Sequence, residues 1–99
     1  MMTVIAKLKV QAGKEAQFER GAREMIAYVK AHEPGTLTYL VHRAVADPTL
    51  FCFYEIYADD AAFTTHGSSD RMREFGKSLG GLLDGRPEIT MFTEIDGKR

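Results

Sequence analysis

The side chains of this chain that could do chemistry are few. His66 ends the stretch "FYEIYADDAAFTTH", on what reads as a short helix following a strand. Histidine titrates near neutrality, so it suits a general base or a hydrogen-bond partner for a substrate. The alternative is a cap favoured by the helix C-terminal dipole. His42 stands one hairpin away, as a second site group or as a half-buried strand histidine, and His32 closes a long helix where a cation offsets the dipole. Glu55 lies between Phe53 and Tyr57 on an otherwise apolar strand face. A buried carboxylate needs a partner or takes up a proton; His42, Arg43 or Lys7 could supply one, depending on strand register. Tyr39 and Tyr54 could donate to a substrate oxygen, or pack with a hydrogen-bonded tip. Arg71 could hold an anion or face solvent. Cys52 is the one cysteine. Nothing near it suggests a lowered pKa, so it reads as an inert buried thiol. It cannot form an internal disulfide or a multi-cysteine metal site. No metal-ligand spacing, phosphate-cradling glycine motif or nucleophile elbow occurs, and no cofactor is expected.

The elements that must position these groups follow from periodicity. "TVIAKLKV" (Thr3 to Val10) alternates as a strand. After a turn at Gly13, Phe18, Ala22, Met25, Ile26 and Val29 form one helical stripe. Pro34 disfavours the helical region at Glu33, so this helix should stop near His32, and Gly35 supplies free backbone for the turn. "TLTYLVHRA" (Thr36 to Ala44) and Leu50 to Tyr57 read as a second and third strand about an Asp47-Pro48 turn. Asp59 or Asp60 can cap the short helix, and Ser68 or Ser69 a further one with Met72, Phe75, Leu79, Leu82 and Leu83 as its stripe. "EITMFTEI" (Glu88 to Ile95) is the last strand. The order β-α-β-β-α-β is the split βαβ, or ferredoxin-like, α+β arrangement with an antiparallel sheet.

At 99 residues with a formal net charge of −1, the chain makes one domain over residues 1–99 and carries no nucleic-acid footprint. It has no apolar run near the roughly 20 residues of a membrane span. No signal peptide is visible, so a cytoplasmic protein is expected.

The third strand is apolar on both sides: Leu50, Cys52, Tyr54 and Ile56 on one, Phe51, Phe53 and Tyr57 on the other. Helices cover only one face of such a sheet, and an antiparallel sheet with a wet face should alternate. The last strand repeats the pattern, with Ile89, Met91 and Ile95 opposed to Phe92. A large exposed apolar patch marks a partner site, and the simplest partner is a second copy of the chain. A homodimer with its sheets packed face to face or joined into one barrel is therefore expected.

"EPGTLTYLVHR", then "FYEIYADDAAFTTH", then Phe75 resemble the antibiotic biosynthesis monooxygenase family, and the likeness runs from "TVIAKLKVQAGKEAQF" to "PEITMFTEI". The resemblance implies a ferredoxin-like fold paired into a dimeric α+β barrel. It also implies a cofactor-independent monooxygenase that oxidises a small aromatic or quinol-like substrate with dioxygen. Other members degrade haem or isomerise small molecules, so a small-metabolite isomerase and a non-enzymatic binding dimer stay as alternatives. Many members read His-x-x-Ser-Pro-His-Phe where this chain has "HGSSDRM": His66 and Ser69 match, but Asp70, Arg71 and Met72 replace the rest. Tryptophan is absent, whereas the haem-degrading branch uses one near Tyr54, which argues against haem breakdown. On this reading His66 and Tyr54 carry the chemistry, and Tyr39, His42, Glu55, Arg71 and Phe75 surround the substrate.

Overall fold

The computed structural model describes residues 1–99. Its elements are β1 (Met2–Lys9), α1 (Glu15–His32), β2 (Thr36–Arg43), β3 (Leu50–Tyr57), α2 (Asp60–Gly67), α3 (Asp70–Leu79) and β4 (Glu88–Thr93). The strands lie in the order β2-β3-β1-β4 with every neighbouring pair antiparallel. This is the ferredoxin-like α+β fold, with its second crossover divided into α2 and α3.

Strand alternation decides what each sheet face holds. Val4, Ala6 and Leu8 of β1 share the helix side with Phe51, Phe53, Glu55 and Tyr57 of β3 and Tyr39 of β2. Onto them α1 lays Phe18, Ala22, Met25 and Val29, all buried. Phe18 is the pivot, with its ring centroid 4.6 Å from that of Phe51 and 6.3 Å from that of Phe53. The other sheet face carries Ile5, Leu40, Cys52, Tyr54 and Phe92 in register and has no helix over it. β4 is exposed along its whole length, and even its helix-side residues Ile89 and Met91 are more than half exposed.

Ser69 caps α3, its Oγ accepting from the Met72 N–H at 3.0 Å. The helix stops at Leu79, short of the expected stripe through Leu83. The Gly80-Gly81 pair explains this, since each glycine disfavours helix by about 1 kcal/mol relative to alanine. The chain turns instead: Leu82 is buried and Leu83 bridges to Val10. No helix is long and apolar enough to cross a membrane.

Candidate functional site

The site begins at the end of α1. Pro34 pushes Glu33 out of helical geometry, to φ −123° and ψ 77°. A carboxylate at a helix C-terminus faces an unfavourable dipole and needs a donor. Glu33 finds it in His66, whose Nδ1 lies 2.8 Å from Oε1, with both side chains only 4% exposed. Thr36 Oγ1 donates to the same oxygen at 2.9 Å. Glu33 Oε2 is buried with no partner in the protein.

His66 is delivered by α2, which Asp59 caps by accepting from the Ala62 N–H at 2.8 Å. α2 is held against the Glu-Pro-Gly turn by close approach. A Cβ at Gly35 would lie 2.7 Å from Ala62 Cβ. Gly35 has no positive φ; only Gly13 and Gly85 do. Glycine is needed here for proximity, not for the backbone freedom expected from the sequence. Gly35→Ala should therefore cost about 1–3 kcal/mol by urea denaturation. Gly67→Ala, where an added Cβ meets nothing within 4 Å, should cost less; equal losses would refute the close-packing account.

Around the dyad stand two tyrosines. The His66 ring lies 5.0 Å from Tyr39 and 5.5 Å from Tyr57, centroid to centroid. The Tyr57 hydroxyl donates to Glu55 Oε1 at 2.5 Å. Glu55 is in register with Val4 and Tyr39, so its partner comes from its own strand rather than from His42, Arg43 or Lys7. Burial pushes the Glu55 carboxyl above the usual range, while the Tyr57 hydrogen bond and the His66 charge oppose the shift. Burial, with the Glu55 charge adding to it, also raises Tyr39 and Tyr57 far above ordinary phenols. Both tyrosines are thus neutral donors at physiological pH.

The raised Glu55 carboxyl has a consequence for stability. Its proton is held more tightly in the folded than in the unfolded chain, so the contribution is present below the ordinary carboxylate range and lost as pH rises through the raised value. Glu55→Gln keeps an acceptor for Tyr57 and removes the titration. Melting temperatures from about pH 4 to about pH 8 should fall less steeply for Glu55→Gln than for the parent chain. Parallel curves would show that Glu55 does not titrate in this way.

The structure brings His66, Tyr39 and Glu55 together and adds Glu33, Thr36 and Tyr57, which sequence reasoning did not single out. Phe75 is buried in the neighbouring aromatic core, edge-on to Phe53 at 5.9 Å. Tyr54 is on the opposite sheet face, in register with Ile5 and Leu40. His42 is on that face too, paired with Cys52. Arg71 lies on the side of α3 that meets α1, 3.3 Å from Glu24 of α1 and 3.4 Å from Glu74, away from the dyad. A groove of ≈ 550 Å³ between α1 and β2 borders the cluster at Glu33 and Tyr39.

A two-layer α+β fold with a buried carboxylate–histidine pair at the joint of α1 and α2 defines a small ferredoxin-like protein. The chain belongs to the antibiotic biosynthesis monooxygenase family, whose model matches residues 1–78. It is similar to a Caulobacter crescentus protein provisionally assigned as an antibiotic biosynthesis monooxygenase, at 34% identity and a TM-score of 0.92, over 96% of this chain and 90% of that one. A Pseudomonas aeruginosa protein is 27% identical with a TM-score of 0.86, over 96% and 94%. A conserved Methanosarcina mazei protein shares the fold at 24% identity and a TM-score of 0.89, over 95% and 92%. No curated protein matches the chain.

Proposed function

We propose that the protein is a homodimeric, cofactor-independent monooxygenase acting on a small phenolic or quinol-like substrate. The observation that carries this reading is the Glu33–His66 pair, 2.8 Å apart and shielded from solvent. A carboxylate bonded to one ring nitrogen fixes the histidine's orientation and stabilises the imidazolium that forms when the other nitrogen takes a proton, the logic of acid–base pairs in general. Family membership and the relative provisionally assigned as a monooxygenase point to the same chemistry.

On this reading His66 Nε2 takes the proton of the substrate hydroxyl, while Glu33, at the groove edge, holds the ring through Nδ1. The resulting anion reduces dioxygen far more readily than the neutral phenol. One oxygen atom bonds to a ring carbon and the other leaves as water, so a phenol plus dioxygen gives a quinone plus water. The substrate supplies every electron, so no cofactor is called for. Tyr39, which lines the groove, serves as the neutral donor to the developing oxyanion; the one proton of the Tyr57 hydroxyl goes to Glu55, and Phe75 belongs to the apolar wall behind them. We assign Tyr54 to the dimer face, and His42 and Arg71 to roles outside the proton transfer. Dimerisation rests on the uncovered sheet face, and a cytoplasmic location on the sequence reading.

The test is oxygen consumption by the purified protein across a panel of quinols and polyphenols. Uptake with release of the matching quinone is expected; no uptake on any member sinks the reading. The same dyad could shuttle a proton between carbons of a small metabolite. Turnover that persists without oxygen would favour that isomerase reading instead.

A further inference from the structure

The seam between α1 and the edge strand β2 carries a second message. Two grooves lie along it, ≈ 370 and ≈ 550 Å³, and Ile26 and Lys30 line both, so the grooves adjoin. These volumes fall in the range of small-molecule sites, about 300–1,000 Å³. At the Arg43 end the floor is apolar, made by Ile26, Val41 and Phe51. The walls there are cationic: Arg23 and Lys30 from α1, Arg43 from β2. Glu19 is the one acid at that end. It sits 3.4 Å from Arg43 Nη1, both side chains partly exposed, a contact worth little. Three cations against one acid leave a positive surplus beside apolar surface. The far end of the seam is bordered by Glu33. The seam is therefore polarised along its length, and no strand beyond β2 covers it.

We propose that this seam binds a small aromatic carboxylate, with its carboxylate against Arg23 and Arg43 and its rings over Ile26 and Val41. Guanidinium groups match a carboxylate through paired N–H donors. The apolar floor rewards a flat hydrocarbon body. Glu33 repels an anion from the other end and so fixes the direction in which the molecule lies. The inference concerns binding and stands whether or not the protein consumes dioxygen.

Titration of the full chain with 2-naphthoate, followed by ¹⁵N–¹H correlation spectra, tests it. Shifts are expected in the amides of residues 23–30 and 41–43. 2-Naphthol, with the same rings and no charge at neutral pH, should bind at least about tenfold more weakly. Arg23→Glu reverses an exposed charge and should weaken 2-naphthoate at least about tenfold. Arg73→Glu, on the exposed side of α3 beside Asp70, should leave it unchanged. Shifts mapping elsewhere, equal binding of naphthol, indifference to Arg23→Glu, or no binding at millimolar 2-naphthoate would each overturn the proposal. Seam binding without oxygen uptake on the quinol panel would leave it standing and remove only the monooxygenase reading.

Discussion

His66→Ala is expected to lower oxygen consumption by at least about a hundredfold and to remove about 3–5 kcal/mol of stability. The two losses have one origin. Deleting the imidazole removes the proton acceptor, and it strands the Glu33 carboxylate, whose Oε1 would keep only Thr36 and whose Oε2 already has no partner. A charge left unpaired in a site this dry is among the costlier single changes a small domain can suffer. A variant that fails to fold would lose activity for an uninformative reason, so His66→Asn is the sharper companion. Its amide nitrogen can take the place of Nδ1 and keep donating to Glu33, while it cannot accept and release a proton near neutrality. Near-parental melting with activity down a hundredfold or more would assign His66 to the chemistry. Near-parental melting with near-parental activity would reduce the dyad to a tie between α1 and α2.

Half of that dyad is legible in the sequence and half is not. His66 stands out because histidine as a residue type titrates near neutrality and this one closes a capped short helix. Glu33 was noticed only as the residue that Pro34 expels from helical geometry. Yet an acid at the C-terminus of α1 works against the helix dipole, and that mismatch was a signal that it had a buried donor elsewhere. Tyr57 offered a similar one: it shares a strand face with Glu55 two residues away, the one partner for that carboxylate that needs no register. Glu55 was assigned partners from neighbouring strands because its need for a donor is visible in sequence, while the arrival of α2 over the sheet is not. The α1 stripe, the Leu50–Tyr57 strand and a cap at Asp59 or Asp60 and at Ser68 or Ser69 are legible because each depends on residues within one or two turns; the structure selects Asp59 and Ser69. Arg71 stands at a motif position of the resembled family, and His42 and Tyr54 lie on neighbouring strands, but neither fact says which way a residue faces. Which sheet face or helix side a residue takes is set by pairing, and pairing places Tyr54 and His42 on the face away from the dyad.

That same face carries the second large effect. Tyr54→Asp is expected to convert a dimer into a monomer. Leu40 and Phe92 are each nearly half exposed on the uncovered face, and Ile5, Cys52 and Tyr54 lie in register between them. A standard interface buries about 800 Å² per partner, and a sheet face with Ile5, Leu40 and Tyr54 in one row and Lys7, His42 and Glu88 as a polar row beside it suits one. A carboxylate placed there would be desolvated against apolar surface, or against its own symmetry mate if the two faces are related by a two-fold axis. Loss of a central aromatic anchor alone costs about 2–4 kcal/mol, and the buried charge adds to it, so dissociation should shift by about a thousandfold or more. Light scattering should give twice the chain mass of 11.1 kDa for the parent and one chain mass for Tyr54→Asp. A parent chain that stays monomeric at every concentration, or a variant that stays dimeric, would refute the face-to-face pairing. Tyr54→Phe keeps the ring and removes the hydroxyl, and should leave both association and turnover unchanged. If it instead abolishes turnover, the Tyr54 hydroxyl takes part in the reaction. The catalytic unit would then extend across the sheet from the dyad and could not be Glu33 and His66 alone.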